Sequence, residues 1–146
     1  MTIRLRRSRA DDADHVIAVW IAAVDATHHF LTAEDRIAIE AEVRDFLPSA
    51  SLWLAVDQDD RPRAFMLLRD AHMDALFVDP ASAGRGVGRL LVEHALTEHP
   101  TLTADVNAQN EGAIGFYRRM GFVEIGRSAL DDSGRPYPLI HLARRQ

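Results

Sequence analysis

Asn110–Phe122, NEGAIGFYRRMGF, is the stretch that decides the fold. It follows the strand-like run Leu102–Val106 and opens a helix predicted over 111–120. Helical spacing puts Asn110, Ala113 and Tyr117 on one face of it. Upstream, the apolar run ALFVDP (Ala75–Pro80) leads through a short loop into Gly84, Arg85, Gly86, Val87, Gly88 and an apolar helix, Leu90–Leu96. A loop of backbone N–H groups feeding a helix N-terminus favours anions, because unpaired donors and the helix dipole act together. The glycines let a phosphate approach, and Arg85 or Arg89 would neutralise its charge. A dinucleotide fold would use a similar loop, with Asp105 about twenty residues further on, but its third glycine is missing and the strand stops too far short of the loop.

The two elements together resemble the GNAT superfamily of acyl-CoA-dependent N-acyltransferases. Its second signature (Asn, Ala three residues on, Phe-Tyr, then Gly-Phe) is met at Asn110, Ala113, Phe116, Tyr117, Gly121 and Phe122. Its pyrophosphate loop is met by Arg85-Gly86-Val87-Gly88, while Ala83 stands where the family carries Gln or Arg. That removes one side chain and leaves the backbone amides. The runs VDATHHFL and HMDALFVDP are similar to a small single-domain bacterial branch. The resemblance implies an α/β (α+β) fold with a mixed, mostly antiparallel sheet of about seven strands flanked by about four helices. Two central strands, Met73–Val78 and Leu102–Val106, would splay to form the acyl-CoA slot.

The same resemblance implies roles for named residues. Acetyl-CoA would lie along Leu76 and Val78, its phosphates on Gly84, Arg85, Gly86, Val87, Gly88 and Arg89, and its arm or a water held by Asn110. The backbone N–H of Leu76 would stabilise the developing oxyanion. Tyr117 would protonate or stabilise the leaving thiolate, whose conjugate acid has a pKa of about 8.5. Asp25, His28, His29 and Phe30, between the first two helices, and Asn107, beyond the second splayed strand, would contact the acceptor.

The acceptor amine must be neutral to attack. Deprotonation at pH 7 costs about 1.4 kcal/mol for an α-amine and roughly 4.6 kcal/mol for a lysine amine. A lysine acceptor therefore needs a base more. His72 and Asp74 share a strand face with Leu76 and Val78 by two-residue alternation. His72 is the leading base, and Asp74 either orients it or binds a cationic substrate. The other histidines have no metal-ligand spacing, so no metal is expected.

The chain has 146 residues, enough for one domain, 1–146. Its net charge of −5 argues against a nucleic-acid footprint. No apolar run is long enough for a membrane span. All 17 basic residues are arginines and there is no cysteine, which excludes an acyl-cysteine intermediate. The opening MTIRLRRSRADD lacks the apolar core of a secretory signal, so the expected compartment is the cytoplasm. Partners reduce to a small-molecule, peptide or protein amine, with the chain a monomer or homodimer. Two other functions fit the same residues: a non-catalytic acyl-CoA sensor, and an acyltransferase using another short acyl-CoA.

The remaining elements follow from periodicity. Strands are predicted at Ile3–Arg7, Leu52–Asp57, Ala64–Arg69, Val123–Ser128 and Leu139–Ala143, and helices at Asp11–Thr27, after Thr32, and Val87–Glu98. Thr32 and Asp35 resemble a capping box, and Ile39, Val43, Phe46 and Leu47 mark the buried stripe of the second helix. Trp20 and Trp53 read as core.

Overall fold

The computed structural model describes residues 2–145. Its elements run β1 (Arg4–Arg7), a 3-10 turn, α1 (Ala13–Thr27), α2 (Ala33–Phe46), a 3-10 turn (Leu47–Ser49), β2 (Trp53–Val56), β3 (Pro62–Arg69) and β4 (His72–Val78). Then come a 3-10 turn (Pro80–Ser82), α3 (Val87–Glu98), β5 (Leu102–Asn107), α4 (Glu111–Arg119), β6 (Val123–Ser128) and β7 (Leu139–Arg144). The strands hydrogen-bond in the order β1-β2-β3-β4-β5-β7-β6. β4 runs parallel to β5, whereas β1 with β2, β2 with β3, β5 with β7 and β6 with β7 are antiparallel. The parallel ladder registers His72 with Thr103 and Met73 with Ala104.

The chain forms two compact units. One takes in the chain to Leu67 together with Ala75–Val92; the other takes in Leu68–Asp74 and the chain from Glu93 onward. In the first, α1 buries Val16, Val19, Trp20 and Val24 against Leu52 and, on the sheet, Leu54, Val56 and Phe65. Their spacing on α1 is the i, i+3, i+4 pattern of one apolar face. α2 starts as its sequence demands, with the Thr32 side chain accepting the Asp35 N–H at 3.1 Å. Its stripe is thinner than expected. Ile39 and Val43 are half-buried on the core, but Phe46 is 54% exposed, because the helix tightens into the 3-10 turn there and Leu47 takes the buried place.

Trp53 also departs from the core reading. The β1–β2 register sets it opposite Arg7, whose guanidinium lies 4.8 Å from the ring centroid, and the indole is half-buried. Trp20 is buried as expected. The β2–β3 turn is pinned by charge. Asp60, in the left-handed region at φ 64°, accepts from Arg4, Arg6 and Arg9. Arg6 also forks both oxygens of buried Asp12 at 2.9 Å each.

The second unit buries alternate residues of its strands: Leu102, Ala104 and Val106 on β5, and Ile140 and Leu142 on β7. Tyr117 and Phe122 seat α4 and the start of β6 in the same core. Alternation leaves Thr103, Asp105 and Asn107 on the opposite, partly open face of β5.

Candidate active site

The expected site residues divide between the units, and each group has its own geometry. In the first unit, Asp79 caps the 3-10 turn by accepting the Ala81 N–H at 3.0 Å, and the chain then climbs through exposed Ala83–Gly86 into α3. Gly84 and Gly86 both sit at φ +76°, where L side chains are strained, and a Cβ at either would meet open space. The glycines are there for backbone conformation rather than for lack of room. The loop thereby delivers exposed backbone to the N-terminus of a twelve-residue helix, with Arg85 and Arg89 on its surface. That cradle fits a phosphate group. Leu76 and Val78 are half-buried on β4.

The segment after α1 is organised by His28. The Thr27 hydroxyl donates to the Ala23 carbonyl at 2.8 Å, so its oxygen is left to accept from His28 Nδ1 at 2.7 Å. The His28 ring lies 5.2 Å from Phe30 and 6.4 Å from Phe77. Burial, and secondarily the neighbouring His29, pushes its pKa below the ordinary histidine value. His29 turns back to the Ala26 carbonyl, and Asp25 pairs with Arg36 at 3.0 Å.

In the second unit, α4 begins where Asn110 caps it, its side-chain oxygen accepting the Ala113 N–H at 3.2 Å. The Asn–Ala spacing of the motif is thus a helix cap. Asn107 uses its side-chain oxygen on the Gln109 N–H. Tyr117 is 6% exposed and packs edge-on against Phe116 and Phe122 at 5.2 Å each. Burial pushes its phenol pKa well up, so it stays a proton donor through the neutral range.

His72 is the centre of a polar network. The Thr103 hydroxyl donates to the Ala71 carbonyl at 3.3 Å, so at the 2.7 Å contact with His72 it accepts. In its neutral form His72 would therefore carry its proton on Nδ1 and leave Nε2 as the basic atom. Nε2 lies 3.5 Å from Asp74 Oδ1 and 3.5 Å from Asp105 Oδ2. Asp74 is also held by Arg69 at 3.0 Å. Asp105 contacts His141 Nδ1 through its other oxygen at 2.6 Å, and His141 Nε2 reaches the Ser128 hydroxyl at 2.6 Å. Thr103, Asp105, Ser128 and His141 were not among the residues expected at the site. The alternation of TADVN would place Thr103 and Asp105 on one face, but nothing in the sequence sets His141 opposite Asp105. Among the described residues no group of His, Cys, Asp or Glu is arranged to hold a metal ion, and no helix is long and apolar enough to cross a membrane.

The first unit thus carries a glycine-shaped loop at a helix N-terminus, and the second carries the His72 network and the buried Tyr117. Residues 23–136 match the family described as acetyltransferase (GNAT) domain, and the chain belongs to that family. It is 56% identical over 143 residues to the peptidyl-lysine N-acetyltransferase YjaB of Escherichia coli K12, covering 98% of this chain and 97% of the relative. The protein of the same description in Salmonella typhimurium LT2 is 54% identical, with 97% and 98% covered. The solution structure of apo YjaB from Escherichia coli superposes with a TM-score of 0.94 at 56% identity, covering 98% of this chain and 97% of that one. The protein is an N-acetyltransferase.

Proposed function

We propose that the protein takes an acetyl group from acetyl-CoA and passes it directly to the side-chain amine of a lysine in a peptide or protein. The observation that carries this reading is the setting of the His72 ring. Its Nδ1 proton is committed to Thr103, and its basic Nε2 faces two carboxylates. Such a position suits a cationic amine that must lose a proton, which costs a lysine roughly 4.6 kcal/mol at pH 7. The whole-length likeness to peptidyl-lysine N-acetyltransferases supports the same acceptor.

The residues divide the work. Gly84, Arg85, Gly86, Val87, Gly88 and Arg89 hold the phosphates, and Leu76 and Val78 offer backbone to the carrier arm. His72 Nε2 takes one proton from the acceptor ammonium, and the freed lone pair attacks the thioester carbonyl to form the C–N bond; collapse of the tetrahedral intermediate breaks the C–S bond, and the nitrogen's second proton passes to the departing sulfur. The Leu76 N–H stabilises the developing oxyanion, and the Tyr117 hydroxyl donates a hydrogen bond to the sulfur as it departs. Asn110, beyond its cap, steadies the carrier arm through its amide. Asp25, His28, His29, Phe30 and Asn107 shape the acceptor approach, and Asp74 offers it a negative charge. A cysteine-free chain with this chemistry belongs in the cytoplasm, where acetyl-CoA and protein lysines meet.

The test is an acetylation assay on paired peptides, one with a free lysine and blocked N-terminus, the other with a free N-terminus and no lysine. Acetylation confined to the lysine Nε, read by fragmentation mass spectrometry, is the expected result. Transfer only to the α-amine, or none with acetyl-CoA saturating, would overturn the reading.

A further inference from the structure

The arm Asp105–His141–Ser128 is absent from the division of work above, yet its contacts are the shortest around the base. Asp105 Oδ1 to His141 Nδ1 and His141 Nε2 to Ser128 Oγ are each 2.6 Å. A carboxylate oxygen only accepts, so His141 carries its proton on Nδ1 and donates it. That bond fixes the rotation of the Asp105 carboxylate and turns Oδ2 toward His72 Nε2, 3.5 Å away. The backbone register reinforces the alignment. Asp105 and His141 are direct cross-strand partners on β5 and β7, and His72 is the registered partner of Thr103, two residues before Asp105.

We propose that His141 is a positioning residue for proton abstraction: it holds Asp105 so that the carboxylate meets the positive charge that appears on His72. The inference rests on the reading of His72 as base. Before abstraction, the positive charge is on the acceptor ammonium and His72 Nε2 is bare. Afterwards the proton is on Nε2, the acceptor is neutral, and His72 is an imidazolium flanked by two carboxylates. Those two are not equivalent. Asp74 is already paired with the Arg69 guanidinium at 3.0 Å, so part of its charge is answered. Among the described residues Asp105 has no arginine against it and meets only His72 and His141. Among the described residues the charged groups against His72 are Asp74 on β4 and Asp105 on β5, with Arg69 of β3 behind Asp74 and His141 of β7 behind Asp105. Ser128 closes the far end of the arm and keeps the His141 ring from rotating.

The experiment is a set of pH–rate profiles with a lysine peptide as acceptor for His141→Leu, His141→Asn and His72→Gln, and for His141→Leu combined with His72→Gln. Asparagine places an amide N–H close to where imidazole Nδ1–H lies, and leucine offers no donor. Expected is a fall in kcat of about tenfold for His141→Leu, in the range of coupling between residues of one network. The acetyl-CoA KM stays unchanged, the deficit is widest where the amine is protonated, and His141→Asn recovers most of the rate. In the His72→Gln background the leucine change costs nothing further. Equal losses in the leucine and asparagine variants, or an undiminished loss in the His72→Gln background, would overturn the inference, since either marks a contribution made independently of His72. A wild-type profile for His72→Gln would instead remove the base reading itself, whereas a deficient His72→Gln with an unaffected His141→Leu removes only the positioning role.

Discussion

Replacing Tyr117 by Phe removes one oxygen from a ring whose packing on Phe116 and Phe122 stays in place. Folding stability should therefore move by no more than about 1 kcal/mol. The kinetic effect is larger and can be sized. A positioned general acid contributes about 10²–10⁴-fold, the upper part of the range going to donors matched in pKa to the group they protonate. Tyr117 is not matched. An ordinary phenol at about 10 already exceeds a thiol near 8.5, which makes full transfer uphill by about 2 kcal/mol. Burial pushes the Tyr117 phenol further up, so in the proposed role it would act mainly by hydrogen bonding to the thiolate as it leaves. The expected loss is then near the lower limit, about a hundredfold in kcat or about 2.7 kcal/mol. The acetyl-CoA KM should change little, because the interaction forms only as the thiolate departs. Release of the CoA thiol can be followed with a thiol-reactive chromophore, and a chain without cysteine adds no protein thiol to the signal. Because burial keeps the phenol protonated, the ratio of variant to wild-type kcat should be flat from neutral pH to beyond pH 9. An unchanged kcat at saturating acetyl-CoA, with the whole loss in KM, would refute the argument; so would a ratio that converges on one as pH rises through that range.

Gly86→Ala should raise the acetyl-CoA KM several-fold while leaving the acceptor KM in place. A Cβ meets no atom there, and the cost of about 1 kcal/mol comes from forcing alanine to hold φ +76°; steady-state kinetics with each substrate varied separately shows which constant moves. Acid stability should depend on the arginine-rich turn. Hydrogen bonding from Arg6 leads the causes that hold Asp12 below the usual carboxylate range, and also those that hold Asp60 at about 2. In that window the unfolded chain binds protons first, so the stabilisation is complete above about pH 4 and is lost as pH falls toward 2. Urea unfolding across pH 6 to 2.5 should show that loss, and Arg6→Leu should flatten it; an unchanged slope in the variant would reassign the acid sensitivity elsewhere.

Much of the fold was legible because local signals agree with tertiary demand. Val87–Glu98 and Val123–Ser128 have the predicted limits, and the Thr32 cap is made by the predicted atoms. Phe46 and Trp53 were misplaced for tertiary reasons: a tightening helix end turned Phe46 outward, and a strand register set Arg7 over Trp53. The site divides in the same way. Tyr117, Asn110, His72 and the glycines could be named from motifs and alternation, which are local in the chain. Asp105, His141 and Ser128 could not, since their meeting depends on β7 lying between β5 and β6, and strand order has no local signature. Conversely, Asn110 was legible as a motif residue while its capping bond to Ala113 became plain only in the structure.

The forked contact of Arg6 with Asp12 has a chemical corollary for a protein that handles an acylating reagent. A lysine in such a place would offer an amine, and each stray acetylation would erase a charge and with it an ion pair. A guanidinium stays protonated and is a poor nucleophile, so this pair, like those of Arg36, Arg63 and Arg69, is inert toward the thioester. Every ion pair that arginine makes in this chain can sit in a pool of activated acetyl groups without ageing, and the tertiary structure keeps its charges however long the enzyme works.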